Sequence, residues 1–229
     1  MTAEQAGDSV VAIVLAAGTS SRMSGEDKLW TDLGGRPAIA RSIEAMARVE
    51  GVTALVLVAP ADRHAALVAL VPAGVEARCV EGGARRRDSV AAGLEAALDA
   101  GWVLVHDGAR PLATTELASR VLGAARQHGA AIPAVPVADT IKRADEAGRV
   151  VETVPRADLR AAQTPQAFEA RLLRHAHASS VEDATDDAEL VERLGAPVWL
   201  VEGDPANIKI TRPTDLVVAR ALLAAREGA

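Results

Sequence analysis

The chain has 229 residues, 49% of them hydrophobic and 24% charged, enough for one large domain that buries roughly 70–75% of its unfolded surface, so global disorder is excluded. Its 25 basic and 31 acidic residues give a net charge of −6, and it has three Trp, one Phe and no Tyr; a nucleic-acid coat and a base-stacking platform are both excluded. The longest apolar run, Val10–Ala17, is eight residues, short of the ~20 a membrane helix needs, and a single Cys79 cannot form an intrachain disulfide.

The polar, acidic start Met1–Asp8 lacks the pattern of a secretion signal, so a cytoplasmic protein is expected. Short β-branched runs then alternate with longer Ala/Leu-rich segments of helical period. This is the signature of an α/β fold with a mostly parallel sheet flanked by helices. Strands are predicted at Val10–Leu15, Leu55–Ala59, Val75–Val80, Trp102–His106, Ala131–Val135 and Pro197–Val201. Helices are predicted at about Ala38–Ala47, Arg63–Leu70, Ser89–Asp99, Thr115–Gln127, Ala170–Ala176, Ala188–Leu194 and Thr214–Arg226. Pro37 and Pro213 suit first helical turns, and Asp88 and Thr114 suit N-caps. Between strand and helix, Ala138–Ala144 and Arg149–Val154 read as a β-hairpin turned by Asp145-Glu146-Ala147-Gly148. A two-stranded ribbon is marginal alone, so the parent domain or a second subunit must supply a surface for it.

Four segments that follow strands carry chemistry. The first runs from Leu15-Ala16-Ala17-Gly18 through Arg22 to Lys28. A small-residue loop leaving a strand lets backbone N–H groups approach an anion, and the two cations add fixed charge. It is neither a Walker loop, because Lys28 follows Asp27 and precedes Leu29, nor a dinucleotide loop, because Ser20 stands where a second glycine is needed. The second is Glu81-Gly82-Gly83-Ala84 with Arg85-Arg86-Arg87-Asp88-Ser89, of whose arginines one or two are expected to act directly. The third is His106-Asp107-Gly108-Ala109-Arg110-Pro111, where Asp107 can bind a ribose hydroxyl or Mg²⁺ and Arg110 can fork onto phosphate, while His106 reads as structural. The fourth, Asn207-Ile208-Lys209, places a lysine beyond the last strand. Thr185-Asp186-Asp187 reads as a helix cap and first turn.

Taken in order, these motifs, with Asp139-Thr140-Ile141-Lys142 and Gln163-Thr164-Pro165-Gln166, resemble the 2-C-methyl-D-erythritol 4-phosphate cytidylyltransferases of the non-mevalonate isoprenoid pathway. The resemblance spans Ile13 to Leu222. It implies a single Rossmann-like nucleotidyltransferase domain over residues 1–229, with 138–156 as an arm that embraces a second subunit in a homodimer. It further implies transfer of CMP from CTP to methylerythritol phosphate, with Mg²⁺ on the triphosphate; with the sequence ending at Ala229, no fused downstream cyclase is expected. By the resemblance Arg22, Lys28 and Lys209 are catalytic. Ala16, Ala17, Gly18, Gly83, Ala84, Ser89 and Asp107 bind CTP, with Asp107 also at the metal. Asp107, Arg110, Thr140, Arg156 and Thr164 hold the methylerythritol phosphate, Thr140 and Arg156 reaching the partner's site. Asp27, beside the anion loop, is expected to point outward. Three alternatives remain: a cytidylyltransferase for ribitol 5-phosphate or another polyol phosphate, a relative of the molybdenum-cofactor nucleotidyltransferases, and a nucleotide-binding regulatory protein without turnover.

Overall fold

The computed structural model describes residues 8–18 and 27–228. At its centre β1 (Val10–Leu15) pairs in parallel with β2 (Val52–Val58) on one side and β4 (Trp102–Asp107) on the other. β3 (Glu76–Val80) extends the sheet beyond β2. The sequence Val-Val-Ala-Ile-Val-Leu of β1 is apolar on both faces because both faces are covered. Val10, Ala12 and Val14 face a core shared with α1 (Ala38–Ala47) and α4 (Thr115–His128). Val11 and Ile13 face the opposite core, shared with α3 (Arg86–Ala96), α5 (Ala170–Ser179) and α6 (Asp187–Arg193). A third cluster, including Leu33, Leu112, Ile210 and Leu216, seats α7 (Pro213–Glu227). No helix among the described residues is long and apolar enough to cross a membrane.

The other half of the sheet is mixed. Among the described residues the strand order is β10-β5-β9-β4-β1-β2-β3, with β8 also on β5. β5 (Ala130–Pro136) and β10 (Trp199–Glu202) are parallel to each other, whereas β8 (Arg160–Ala162) and β9 (Gln166–Glu169) run antiparallel to their neighbours. Neither β8 nor β9 is predicted from sequence, because three or four residues rich in Arg, Gln and Glu show no strand period. β9 exists because β4 and β5 leave a slot, which the chain's sole Phe, the fully buried Phe168, fills.

Other predicted boundaries need adjustment. The helix predicted from Arg63 is a 3₁₀ turn at Ala61–Arg63 followed by the short α2 (His64–Val68). Asp88 is not an N-cap: α3 starts three residues earlier, with Arg85 as N-cap. From the third helical position the Asp88 carboxylate reaches back to accept the Arg85 N–H at 3.2 Å, which lets the helix begin before it. Thr114 does cap α4, accepting the Leu117 N–H at 3.1 Å.

The hairpin comprises β6 (Ile141–Ala144) and β7 (Val150–Val154), which among the described residues pair only with each other. Gly148 takes φ +81° in the turn, and the register slips between Arg143 and Ala144. That pairing of a left-handed glycine with a bulge matches the strand twist. Val150 and Val151 are exposed on the ribbon.

Candidate active site

The sheet's C-terminal edge collects the four motifs. Loops leave β1, β3 and β4 at this edge, with β2 between β1 and β3; the Ala16 N–H bonds Val58 O of β2 at 2.7 Å, and the Gly108 N–H bonds Leu15 O at 2.9 Å, tying the loop after β4 to β1. The loop before α7 joins them where the Ile210 N–H reaches Ala109 O at 2.8 Å. Together they enclose a pocket of about 430 Å³. Of the residues expected at the site, Ala17, Gly18, Lys28, Gly83, Ala84, Ser89, Asp107 and Lys209 line it, joined by Arg85 and Arg86. The opening of an α/β sheet at its carboxyl edge is where such folds take ligands.

The glycine loop after β3 owes its composition to crowding. A Cβ on Gly82 would sit 2.4 Å from the Ala17 Cβ and 2.9 Å from Ser89 Oγ; one on Gly83 would sit 2.3 Å from the Asp88 Cβ. Ser89 Oγ accepts the Gly83 N–H at 3.1 Å and lies 3.3 Å from Arg85 O. The hydroxyl thereby shapes the loop that forms one wall of the pocket.

Asp107 is the acidic group of the pocket lining, and its carboxylate is shared by two cations. Lys209 Nζ stands 2.7 Å from Oδ2 and Arg86 Nε 3.4 Å from Oδ1. Burial alone would raise this carboxyl, but Arg86, Lys209 and Arg110 outweigh burial and hold it well below the ordinary carboxylate range. Behind it, Thr164 Oγ accepts the Asp107 N–H at 3.0 Å and meets His106 Nδ1 at 3.1 Å, while His106 Nε2 faces Arg110 O at 3.3 Å. The Arg110 carbonyl can only accept, so Nε2 carries the proton, and in the neutral imidazole Nδ1 accepts from the Thr164 hydroxyl. Burial pushes the imidazole pKa down to about 4, against the weaker pull of Asp107. His106 is structural, as its place near the strand end suggests.

The remaining expected residues occupy other positions. Ala16 spends its N–H on the sheet and lies outside the pocket lining. Arg110 is anchored to Asn207 O at 2.7 Å and Ala162 O at 3.4 Å, and Thr164 is buried behind Asp107. Thr140 and Arg156 flank the hairpin, exposed and outside this pocket's lining. Arg22 lies outside the described residues. Asp27 turns away: its carboxylate accepts the Leu29 N–H at 3.1 Å and faces Arg63 at 3.5 Å.

Three consecutive arginines take three jobs. Arg85 closes the start of α3 on Asp88, with Nη2 2.7 Å from Oδ1. Arg87, buried, donates to the carbonyls of His177, Ser180 and Glu182, fastening the end of α5 and the loop beyond it. Arg86 alone of the three binds Asp107, and it also pairs with the buried Asp187 at 2.8 Å. Sequence reasoning gave Asp187 to a helix cap and first turn, and assigned no role of their own to Gln163 and Asn207. Asp186 caps α6 as expected, accepting the Glu189 N–H at 3.0 Å, but Asp187 turns into the core. Gln163 and Asn207 tie the loop before β9 to the Lys209 loop: Gln163 Nε2 donates to Asp204 O at 2.8 Å and Asn207 Nδ2 to Thr164 O at 2.9 Å. Their occurrence in motifs pointed to the neighbourhood, but polar side chains that bind backbone carry no chemical signature of their own.

Among the described residues no group of three or more His, Cys, Asp or Glu side chains could hold a metal ion. Asp107, already paired on both oxygens, offers a single carboxylate contact. That donor set fits Mg²⁺ carried on substrate phosphates, since this ion keeps waters and takes one or two carboxylates beside phosphate oxygens.

Comparison with known proteins agrees with this geometry. The family model described as 2-C-methyl-D-erythritol 4-phosphate cytidylyltransferase matches residues 10–225. The Nocardia farcinica protein of that name is 48% identical, with 94% of each chain covered, and the Rhodococcus jostii protein is 46% identical, with 96% of each covered. Among solved structures, the 2-C-methyl-D-erythritol 4-phosphate cytidylyltransferase of Thermus thermophilus superimposes with a TM-score of 0.77 at 39% identity, covering 92% of this chain and 97% of that one. The 4-diphosphocytidyl-2C-methyl-D-erythritol synthase of Anaerococcus prevotii gives a TM-score of 0.83 at 32% identity, covering 95% and 99%. The chain belongs to the 2-C-methyl-D-erythritol 4-phosphate cytidylyltransferase family.

Proposed function

We propose that this protein transfers CMP from CTP to 2-C-methyl-D-erythritol 4-phosphate, giving 4-diphosphocytidyl-2-C-methyl-D-erythritol and pyrophosphate in isoprenoid precursor synthesis. The observation that carries the reading is the pocket where Lys28, Arg86, Lys209 and Asp107 meet a glycine loop at the sheet edge, in a chain of this family.

The chemistry asks little of the protein beyond placement and charge. A phosphate-monoester oxygen attacks the α-phosphorus of CTP; the new P–O bond forms as the bond to the β-phosphate oxygen breaks, and pyrophosphate leaves with that electron pair. The nucleophile is already an anion, so no general base is needed, in keeping with a neutral, buried His106. The Gly83–Ala84 loop and Ser89 form the base end of the pocket, and Asp107 the ribose side. Lys28, Lys209 and Arg22 balance the charge that builds at the five-coordinate phosphorus. Mg²⁺ carried by the triphosphate, with Asp107 as its protein contact, would supply further neutralisation. Arg110 and Thr164 support the acceptor side. Thr140 and Arg156 complete it in a homodimer, each 138–156 arm of this cytidylyltransferase domain reaching the other subunit's pocket. The reaction belongs in the cytoplasm.

The test is incubation with CTP, Mg²⁺ and a panel of polyol phosphates, following pyrophosphate release. Release with methylerythritol phosphate is expected. Release with ribitol 5-phosphate alone would overturn the acceptor, and no release with any member would favour a nucleotide-binding protein without turnover.

A further inference from the structure

We infer that Asp187 is a positioning residue for this site: it holds the Arg86 guanidinium so that Arg86 restrains Asp107, and through Asp107 the ammonium of Lys209. With His177 behind Asp187, five groups form a continuous line. His177 Nε2 stands 3.2 Å from Asp187 Oδ1, Arg86 Nη1 is 2.8 Å from Asp187 Oδ2, Arg86 Nε is 3.4 Å from Asp107 Oδ1, and Lys209 Nζ is 2.7 Å from Asp107 Oδ2. Asp187 is fully buried and contributes nothing to the pocket lining, whereas Arg86 and Asp107 do.

The charges explain why a carboxylate is kept in the core. Arg86 and Lys209 are two cations facing Asp107; Asp187 supplies the second anion that lets each cation keep its own partner. Stability does not require the pair, since well-packed apolar replacements for buried ion pairs are often as stable or more so. Without Asp187, Arg86 competes with Lys209 for Asp107, and the lysine is no longer directed toward the reacting phosphate. The end of α5 and the start of α6, remote from the substrate, thereby set the geometry of the pocket.

This inference rests on the cytidylyl-transfer reading, and its test separates the two. A double-mutant cycle on the full chain is read in kcat for pyrophosphate release and in the calorimetric Kd for CTP with Mg²⁺. Asp187→Asn is expected to lower kcat about tenfold or more and to weaken CTP about threefold, yet to change either by less than about twofold once Arg86→Met is present. The apolar pair Arg86→Met/Asp187→Leu should melt within about 5 °C of the parent protein and remain as slow as Arg86→Met alone; it keeps the test decisive if Asp187→Asn folds poorly. Additive losses in the two backgrounds, or parental turnover in the apolar pair, would overturn the role. Coupling in CTP affinity without transfer to methylerythritol phosphate would instead sink the proposed reaction and leave Asp187 as a positioning residue.

Discussion

Lys209 illustrates how one residue serves ground state and transition state differently. Its ammonium is 2.7 Å from Asp107 and its side chain is 38% exposed, so it is satisfied before CTP arrives. Binding CTP trades part of that contact for a phosphate contact, a small net change. Charge that develops on the α-phosphoryl oxygens during transfer brings a gain absent from the ground state. Lys209→Ala and Lys28→Ala should therefore each lower kcat by about 10²-fold or more while raising the Kd for CTP less than about tenfold. Single-turnover pyrophosphate release set against calorimetric CTP binding checks this. Equal losses in the two quantities would show that the lysines only bind.

At the level of elements, the site depends on loops packed more closely than side chains permit. Gly82 brings the loop after β3 onto Ala17, where a Cβ would lie 2.4 Å from the Ala17 Cβ, whereas a Cβ on Gly18 meets none of the described residues within 4 Å. Gly82→Ala should cost about 1–3 kcal/mol, the usual range for overpacking, and raise the Kd for CTP by moving the wall of the pocket. Gly18→Ala should leave the urea midpoint unchanged, and equal midpoints for the two variants would contradict the crowding argument. The same contrast shows what sequence could convey. The loops following Leu15, Val80 and His106 were legible as a site because small residues and cations directly after apolar strands share one sheet edge. β8 and β9 were not, since their pairing comes from the slot between β4 and β5, not from any period of their own. Asp187 was equally hidden: next to a capping Asp186 it reads as part of the cap, and only the packing of α6 against α5, which itself lies on α3, turns it toward Arg86.

On the scale of the whole molecule, a chain of net charge −6 is proposed to bind two polyanions. The fold reconciles this by gathering Lys28, Arg86 and Lys209 around one pocket, where their field acts locally and the acidic remainder is screened over about 8–10 Å. Arg156 and Thr140, proposed for the acceptor phosphate, stand instead by the exposed ribbon, where Val150 and Val151 face outward at 57% and 55% exposure. A ribbon of two strands gains little stability by itself, so seating it on a second chain would bury those valines and deliver Arg156 to the partner's pocket together. In the proposed homodimer, Lys28→Ala and Arg156→Ala proteins should each be nearly inactive. In a mixed dimer the pocket of the Arg156→Ala subunit keeps its own lysine and receives the other chain's intact arginine, so one of the two sites is whole. Co-refolding the differently tagged variants and isolating the doubly tagged species should recover up to about half of parental activity. Doubly tagged dimers without recovery would show that Arg156 does not act across the interface.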